Sequence, residues 1–175
     1  KILVCISNVP DTTSKINFNA DNSAFDTNGI QFVINPYDEF VLTKAIKLRE
    51  QHGGTVTVAH VGPDTNEPTL RKALAIGADD AIRVDAEATD SFFVANEIAA
   101  IAKDFDLIMN GRESIDYNGG AVPGMLAEIL DLGLINGCTG LEISGSDITA
   151  EREIEGGKES LSASLPIVIA GQKGL

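Results

Sequence analysis

The sequence predicts a doubly wound α/β domain built on a mostly parallel sheet, with an antiparallel hairpin near its C-terminus. Three observations predict it. Short apolar runs rich in branched residues read as strands buried on both faces. Segments of helical periodicity alternate with them, as in β-α-β units. After Asp131 the pattern changes to strict alternation on either side of Gly156-Gly157, which describes a hairpin.

Ile2 to Ile6 is the first strand. Asp11 to Gly29 is polar, with Asn22 and Asn28-Gly29 as turn formers, and reads as an irregular or hairpin excursion leading to the apolar run Phe32-Val33-Ile34. Asn35 followed by Pro36, Asp38 and Glu39 marks a helix start. Asparagine can cap open amides, proline fits the first turn, and the acids complement the helix dipole. That helix runs from Pro36 to Gln51 with Val41, Ala45 and Leu48 inward, and Gly53-Gly54 closes it. Thr55 to Val61 is the second strand. Pro68 to Ile76 is a helix with Leu70, Ala73 and Leu74 on one side and Gly77 as terminator, and Ala81 to Val84 the third strand.

Val94, Ile98, Ile101 and Phe105 fall at helical spacing from near Asp90, and Leu107-Ile108-Met109 makes a fourth strand. A glycine-bearing loop, Gly111 to Gly120, leads into a helix carrying Val122, Leu126 and Ile129 on one face. Residues 1 to 131 are thus expected to form a parallel sheet of about five strands, counting one after the fourth helix, with the first strand inside it. Ile148, Ala150, Arg152 and Ile154 alternate before the Gly-Gly turn, Leu161, Ala163 and Leu165 after it, and Pro166 to Ala170 is a last strand. The whole of 1–175 reads as one domain, with 131–175 forming the hairpin and last strand.

Twenty-six acidic residues against thirteen basic ones give a net charge of −13. No lysine or arginine cluster forms a basic stripe, so neither nucleic acid nor an anionic membrane is an expected partner. Cys5 and Cys138 are the only cysteines and both sit in strand-like segments, which suggests free thiols rather than a disulfide or metal site. No apolar run approaches the roughly 20 residues of a membrane span. A cytoplasmic location is expected.

In a doubly wound sheet, ligands sit beyond the carboxyl ends of the strands. The loop Gly111 to Gly120 leaves such an end and opens a helix, where backbone amides and the helix dipole suit a phosphate. No Walker-type or Gly-x-Gly-x-x-Gly pattern accompanies it. Asp116 is placed either to accept from ribose hydroxyls or as a solvated loop acid, and Arg112 either to face a phosphate or to form a surface ion pair. His52 and His60 have no nucleophile at recognisable spacing and read as structural or surface residues. No catalytic residues are expected.

Val33 to Glu39, Thr69 to Asp79, the loop Gly111 to Gly124, and Arg152-Glu153-Ile154-Glu155-Gly156-Gly157-Lys158-Glu159 through Leu165-Pro166 occur in that order. Together with the opening Ile2 to Asp11 they resemble the electron transfer flavoprotein β subunit over essentially the whole chain. The resemblance implies an adenine nucleotide alpha hydrolase-like fold and a heterodimer with an α subunit that holds most of the redox FAD. It implies electrons arriving from acyl-CoA or other flavin dehydrogenases and leaving to a quinone oxidoreductase. It also implies an AMP, or a second FAD in bifurcating members, bound by Cys5, Asn35, Pro36, Tyr37, Asp38, Val61 and the loop residues Arg112, Glu113, Ser114, Ile115, Asp116, Asn118, Gly119 and Gly120. Tyr37 falls where the family places an aromatic residue beside the flavin.

In many family members this loop continues through Asn-Gln-Thr-Gly-Gln before a methionine. Here Gly120-Ala121-Val122-Pro123-Gly124 precede Met125, so the side-chain contacts of that Gln and Thr to a phosphate are lost, while backbone amides of Gly119 and Gly120 can still serve. The family's partner-recognition loop and C-terminal arm are expected beyond Leu175. A stand-alone nucleotide-binding module of the universal stress protein type is the alternative, but its Gly-rich ATP loop is not matched. An ATP-cleaving or adenylating enzyme would need a Ser-Gly-Gly pyrophosphate motif, which Ile143-Ser144-Gly145-Ser146 does not supply.

Overall fold

In a computed structural model describing residues 1–175, eight strands form one sheet. Strand β1 is Ile2–Cys5, and a small antiparallel pair, β2 (Asn8–Pro10) and β3 (Phe32–Ile34), brackets the polar excursion. Helix α1 (Pro36–His52) leads to β4 (Val56–Val61), and α2 (Glu67–Ile76) leads to β5 (Asp80–Val84). Helix α3 (Ser91–Ala102) precedes β6 (Leu107–Gly111), and α4 (Val122–Leu130) precedes β7 (Gly133–Ser144). The chain ends with β8 (Asp147–Ile154), β9 (Gly157–Ser164) and β10 (Ile167–Gly171).

The strand order is β5-β4-β1-β6-β10-β7-β8-β9. From β5 to β7 every pairing is parallel, and β8 and β9 extend the same sheet antiparallel. β1 lies inside the sheet, as expected. The strand after the fourth helix begins at Gly133, two positions past the expected 131, and β10 inserts between β6 and β7. β7 serves both halves. Its first part, Gly133 to Cys138, pairs with β10, and its second, Cys138 to Ser144, pairs with β8 across an irregularity at Cys138/Gly140.

Side chains alternating along the buried strands supply two cores. Val4, Val58 and Met109 pack under Val41, Leu42, Ala45 and Leu48 of α1 and Leu70 and Ala73 of α2. On the other face Leu3, Cys5, Ala59 and Ile108 meet Ala95, Ile98 and Ala99 of α3 and Leu126 of α4. Leu74 and Ile129, expected inward, are more than a third exposed, at 39% and 38%. They lie at the margins of their helices' apolar arcs.

The chain winds from β1 outward through β4 to β5, then returns to the other side of β1 to build β6. The two loops leaving the adjacent strands β1 and β6 therefore run to opposite sides, which opens a crevice at their carboxyl ends.

Candidate functional site

A cavity of about 1100 Å³ occupies that crevice. Its floor is the ends of three strands: Cys5 of β1 with Ile6 just after it, Ala59 to Val61 of β4, and Asn110 and Gly111 of β6. Val94 and Ile98 of α3 and Val122 of α4 line it on the side of the Cys5 face of the sheet. The rim includes Asn35, Asp38, Glu113, Ser114, Asp116 and Gly119.

Two residues at the N-terminal end of α1, Asn35 just before the helix and Asp38 in its first turn, set the shape of this cavity. Asn35 was expected to cap the helix with its side chain, but that side chain makes no cap hydrogen bond. It reaches across to the loop after β6 instead: Nδ2 donates to the Glu113 carbonyl at 2.8 Å, and Oδ1 accepts from the Ile115 amide at 3.2 Å. Those two loop groups outcompete the helix end for the amide. The backbone carbonyl of Asn35 still accepts from the Asp38 and Glu39 amides.

Asp38 ties the two central strands to α1. Its Oδ2 accepts from the Ser7 amide and its Oδ1 from the Gly111 amide, each at 2.8 Å. A Cβ on Gly111 would stand 2.3 Å from Asp38 Oδ1 and 2.7 Å from Tyr37 Cβ, so only glycine permits this approach. Burial of the Asp38 carboxyl pushes its pKa up to about 7, against the opposing pull of the hydrogen bonds it receives. Burial, and secondarily the charge of Asp38, pushes the Cys5 thiol well up. That thiol is a neutral wall and not a nucleophile.

The far side of the cavity carries a relay of side-chain hydrogen bonds that the sequence did not indicate. Thr69 Oγ1 donates to Asn8 Oδ1 at 2.6 Å, Asn8 Nδ2 to Asn66 Oδ1 at 3.0 Å, and Asn66 Nδ2 to His60 Nε2 at 2.9 Å. His60 Nδ1 lies 2.9 Å from the Ile6 carbonyl. A carbonyl only accepts, so the proton sits on Nδ1 and Nε2 is the acceptor. Burial lowers the His60 pKa, in keeping with this neutral tautomer. His60 is therefore structural, as expected, while also lining the cavity.

The loop after β6 folds back on itself. The Ser114 amide donates to the Gly119 carbonyl at 3.0 Å, Ser114 Oγ contacts Asp116, and Asn118 takes φ 51° to make the turn. Arg112 does not line the cavity. Its guanidinium pairs with Glu113 at 3.1 Å, donates to Gln172 Oε1 at 2.8 Å, and lies 5.4 Å from the Tyr37 ring centroid. Of the expected site residues, the structure brings Cys5, Asn35, Asp38, Val61, Glu113, Ser114, Asp116 and Gly119 to one cavity. Pro36, Tyr37, Arg112, Ile115, Asn118 and Gly120 flank it without lining it.

The electrostatics are one-sided. Asp38, Glu87, Asp90, Glu113 and Asp116 line the cavity, and no lysine or arginine does. No group of residues arranged to hold a metal ion is present, and no helix is long and apolar enough to cross a membrane. One polar atom stands out: Asn110 Nδ2, on a residue 4% exposed, has no hydrogen-bond partner.

Comparison with known proteins matches residues 23–175 to the electron transfer flavoprotein domain. The chain is 38% identical to the electron transfer flavoprotein subunit beta of Bacillus subtilis, covering 99% of this chain and 69% of that protein. The chain belongs to the electron transfer flavoprotein β-subunit family. It is also 36% identical to protein FixA of Sinorhizobium fredii, covering 99% of this chain and 65% of that one. A third relative, the subunit beta of Syntrophomonas wolfei, is 38% identical over 98% of this chain and 69% of its own length. The chain thus spans about two thirds of the length of these electron transfer flavoprotein relatives. Family membership gives it a part in flavin-linked electron transfer.

Within this electron transfer flavoprotein chain, three of the segments that carry the resemblance converge in space. Val33 to Glu39, the loop from Gly111, and the end of β1 meet at the joint made by Asn35 and Asp38.

Proposed function

We propose that this chain is the β subunit of an electron transfer flavoprotein in which the strand-end cavity holds an adenine nucleotide, AMP in preference to FAD. The observation that carries the reading is the cavity itself. It combines an apolar side formed by Cys5, Val61, Val94, Ile98 and Val122 with amide-bearing glycine backbone at Gly119, the mixture that small-molecule sites present. A Cβ on Gly119 would meet no atom within 4 Å, so room for a ligand exists beside that backbone. The orphaned Asn110 amide supplies a donor in search of an acceptor.

The charged residues of the lining are all acidic, so a bound phosphate needs compensation close by. Its charge is repelled by the carboxylates of Glu87, Asp90, Glu113 and Asp116, and backbone amides with the N-terminal end of α4 are the compensation on offer.

The redox flavin supplies the electron chemistry, and in this reading the α subunit encloses most of it. Tyr37, half-buried under the Arg112 guanidinium and outside the nucleotide cavity, would present its ring toward that flavin. Dehydrogenases, acyl-CoA dehydrogenases among them, would supply electrons and a quinone oxidoreductase accept them.

Denaturing the purified heterodimer and separating the released nucleotides tests the reading. AMP and FAD in equal amounts are expected. Two FAD per heterodimer would make the protein bifurcating, and FAD with no other nucleotide would empty the proposed cavity of its role.

The lone chain, expressed without its partner, should be colourless after desalting. A flavin held along one side stays exposed, whereas cofactor sites normally enclose roughly 70–90% of a ligand of that size. Stoichiometric flavin absorbance on the lone chain would overturn this expectation.

A further inference from the structure

We infer that Asn110 is a specificity-determining residue of the cavity, whose side-chain amide donates to the heteroaromatic base of the bound nucleotide. The inference rests on the proposed nucleotide site and goes beyond it by assigning a residue that neither the resemblance nor the loop chemistry includes.

Asn110 sits near the carboxyl end of β6, in register with Cys5 of β1 on one side and Ala170 of β10 on the other. Alternation along β6 places Leu107 and Met109 in the core beneath α1 and Ile108 in the core beneath α3 and α4. Asn110 therefore points to the same side as Ile108, Cys5 and Val168, toward the cavity wall made by Ile98 and Val122. A leucine-sized apolar side chain would suit this floor, and its three neighbours in register, Cys5, Ala170 and Ala59 beyond Cys5, are small and weakly polar or apolar.

An amide here costs stability unless it is partnered. A buried donor without an acceptor is destabilising by an amount comparable to a lost hydrogen bond or more. Asn110 Nδ2 has none, although polar groups such as those of Asn35, Asp38 and His60 elsewhere around the cavity are all engaged. The partner it lacks is an acceptor inside an apolar slot. A ring nitrogen of a flat base provides one, and an adenine edge adds an amino donor for Oδ1, the bidentate match that asparagine makes with adenine. The wall of Cys5, Val61, Ile98 and Val122 offers the apolar surface such a ring would lie against.

The test uses the full-length subunit in its heterodimer, stripped of nucleotide, with Kd measured calorimetrically for AMP and for adenosine. Asn110→Leu should weaken both ligands by the same factor, roughly tenfold, because the base is common to both. The nucleotide-free variant should melt at or above the wild-type temperature. Asn110→Ala serves as the second variant should leucine fail to fold, with the same expected loss. A loss confined to AMP would move the contact to the phosphate and overturn the assignment, as would unchanged affinities for both ligands in either variant. If the wild-type heterodimer binds neither ligand, the nucleotide site itself fails, a result distinct from normal binding that ignores Asn110.

Discussion

Replacing Gly111 with alanine is expected to lower the thermal midpoint of the protein by roughly 4–24 °C. The new Cβ would lie 2.3 Å from Asp38 Oδ1 and 2.7 Å from Tyr37 Cβ. Neither neighbour can step aside. Asp38 is buried and bound to two amides, and Tyr37 Cβ is fixed by the backbone of α1. Overpacking of this kind costs about 1–3 kcal/mol, and stretching the Gly111 amide away from its carboxylate adds about 1–3 kcal/mol for a charge-assisted bond in the interior. For a chain of this length each kcal/mol moves the midpoint by about 2–4 °C.

Gly119 gives the contrasting case on the same loop. Its Cβ position is open and its backbone does not lie in the left-handed region. Gly119→Val should leave stability within about 0.5 kcal/mol of wild type while reducing the nucleotide retained through purification, since a branched side chain would stand between the ligand and the amides. Melting curves and nucleotide content of the two variants separate packing at the joint from binding in the cavity. A Gly111→Ala protein that melts like wild type would refute the close packing at the joint, and undiminished nucleotide in Gly119→Val would remove that loop from the site.

The parallel sheet was legible because strands buried on both faces are predominantly apolar, as in Ile167 to Ala170 and, apart from Thr57 and His60, Val56 to Val61. β7 was not. Gly133, Gly137 and Gly140 interrupt any alternation, Gly137 takes φ 69°, and the strand changes partners half-way. That β10 slips between β6 and β7 is a matter of spatial order, which local pattern does not encode. In the site, the loop after β6 announced itself through its glycines, whereas Asn8, His60, Asn66 and Thr69 are scattered along the chain and become a relay only when β2, β4 and α2 meet. Asn110 did carry a signal. A polar residue directly after Leu107-Ile108-Met109 and before the glycine loop is out of place on a buried strand unless something binds it.

Stability is expected to fall as pH rises from 6.5 to 8, and the cause is Asp38. Its carboxyl is 4% exposed and burial pushes its pKa from 3.8 up to about 7. The folded chain therefore holds a proton that the unfolded chain releases above about pH 4. The stabilisation linked to that proton is complete below the unfolded value and is lost as pH rises through about 7. Protonation leaves one carboxyl oxygen to accept from the Ser7 or Gly111 amide, but it removes a buried charge that has no cation beside it. The full shift corresponds to about 4 kcal/mol, most of it lost between about pH 4 and 7, and from pH 6.5 to 8 the remaining loss should be on the order of 1 kcal/mol. His60 acts in the opposite sense: its pKa is lowered by burial, so its contribution is complete above 6.5 and lost as pH falls through its folded value. Chemical denaturation at several pH values from 6.5 to 8 therefore isolates Asp38. Asp38→Asn should be less stable at pH 6.5, because one of the two amides then faces an NH2 group, yet its stability should be flat across the same interval. A wild-type protein whose stability rises from pH 6.5 to 8, or a variant that keeps the wild-type slope, would show that another group governs this range.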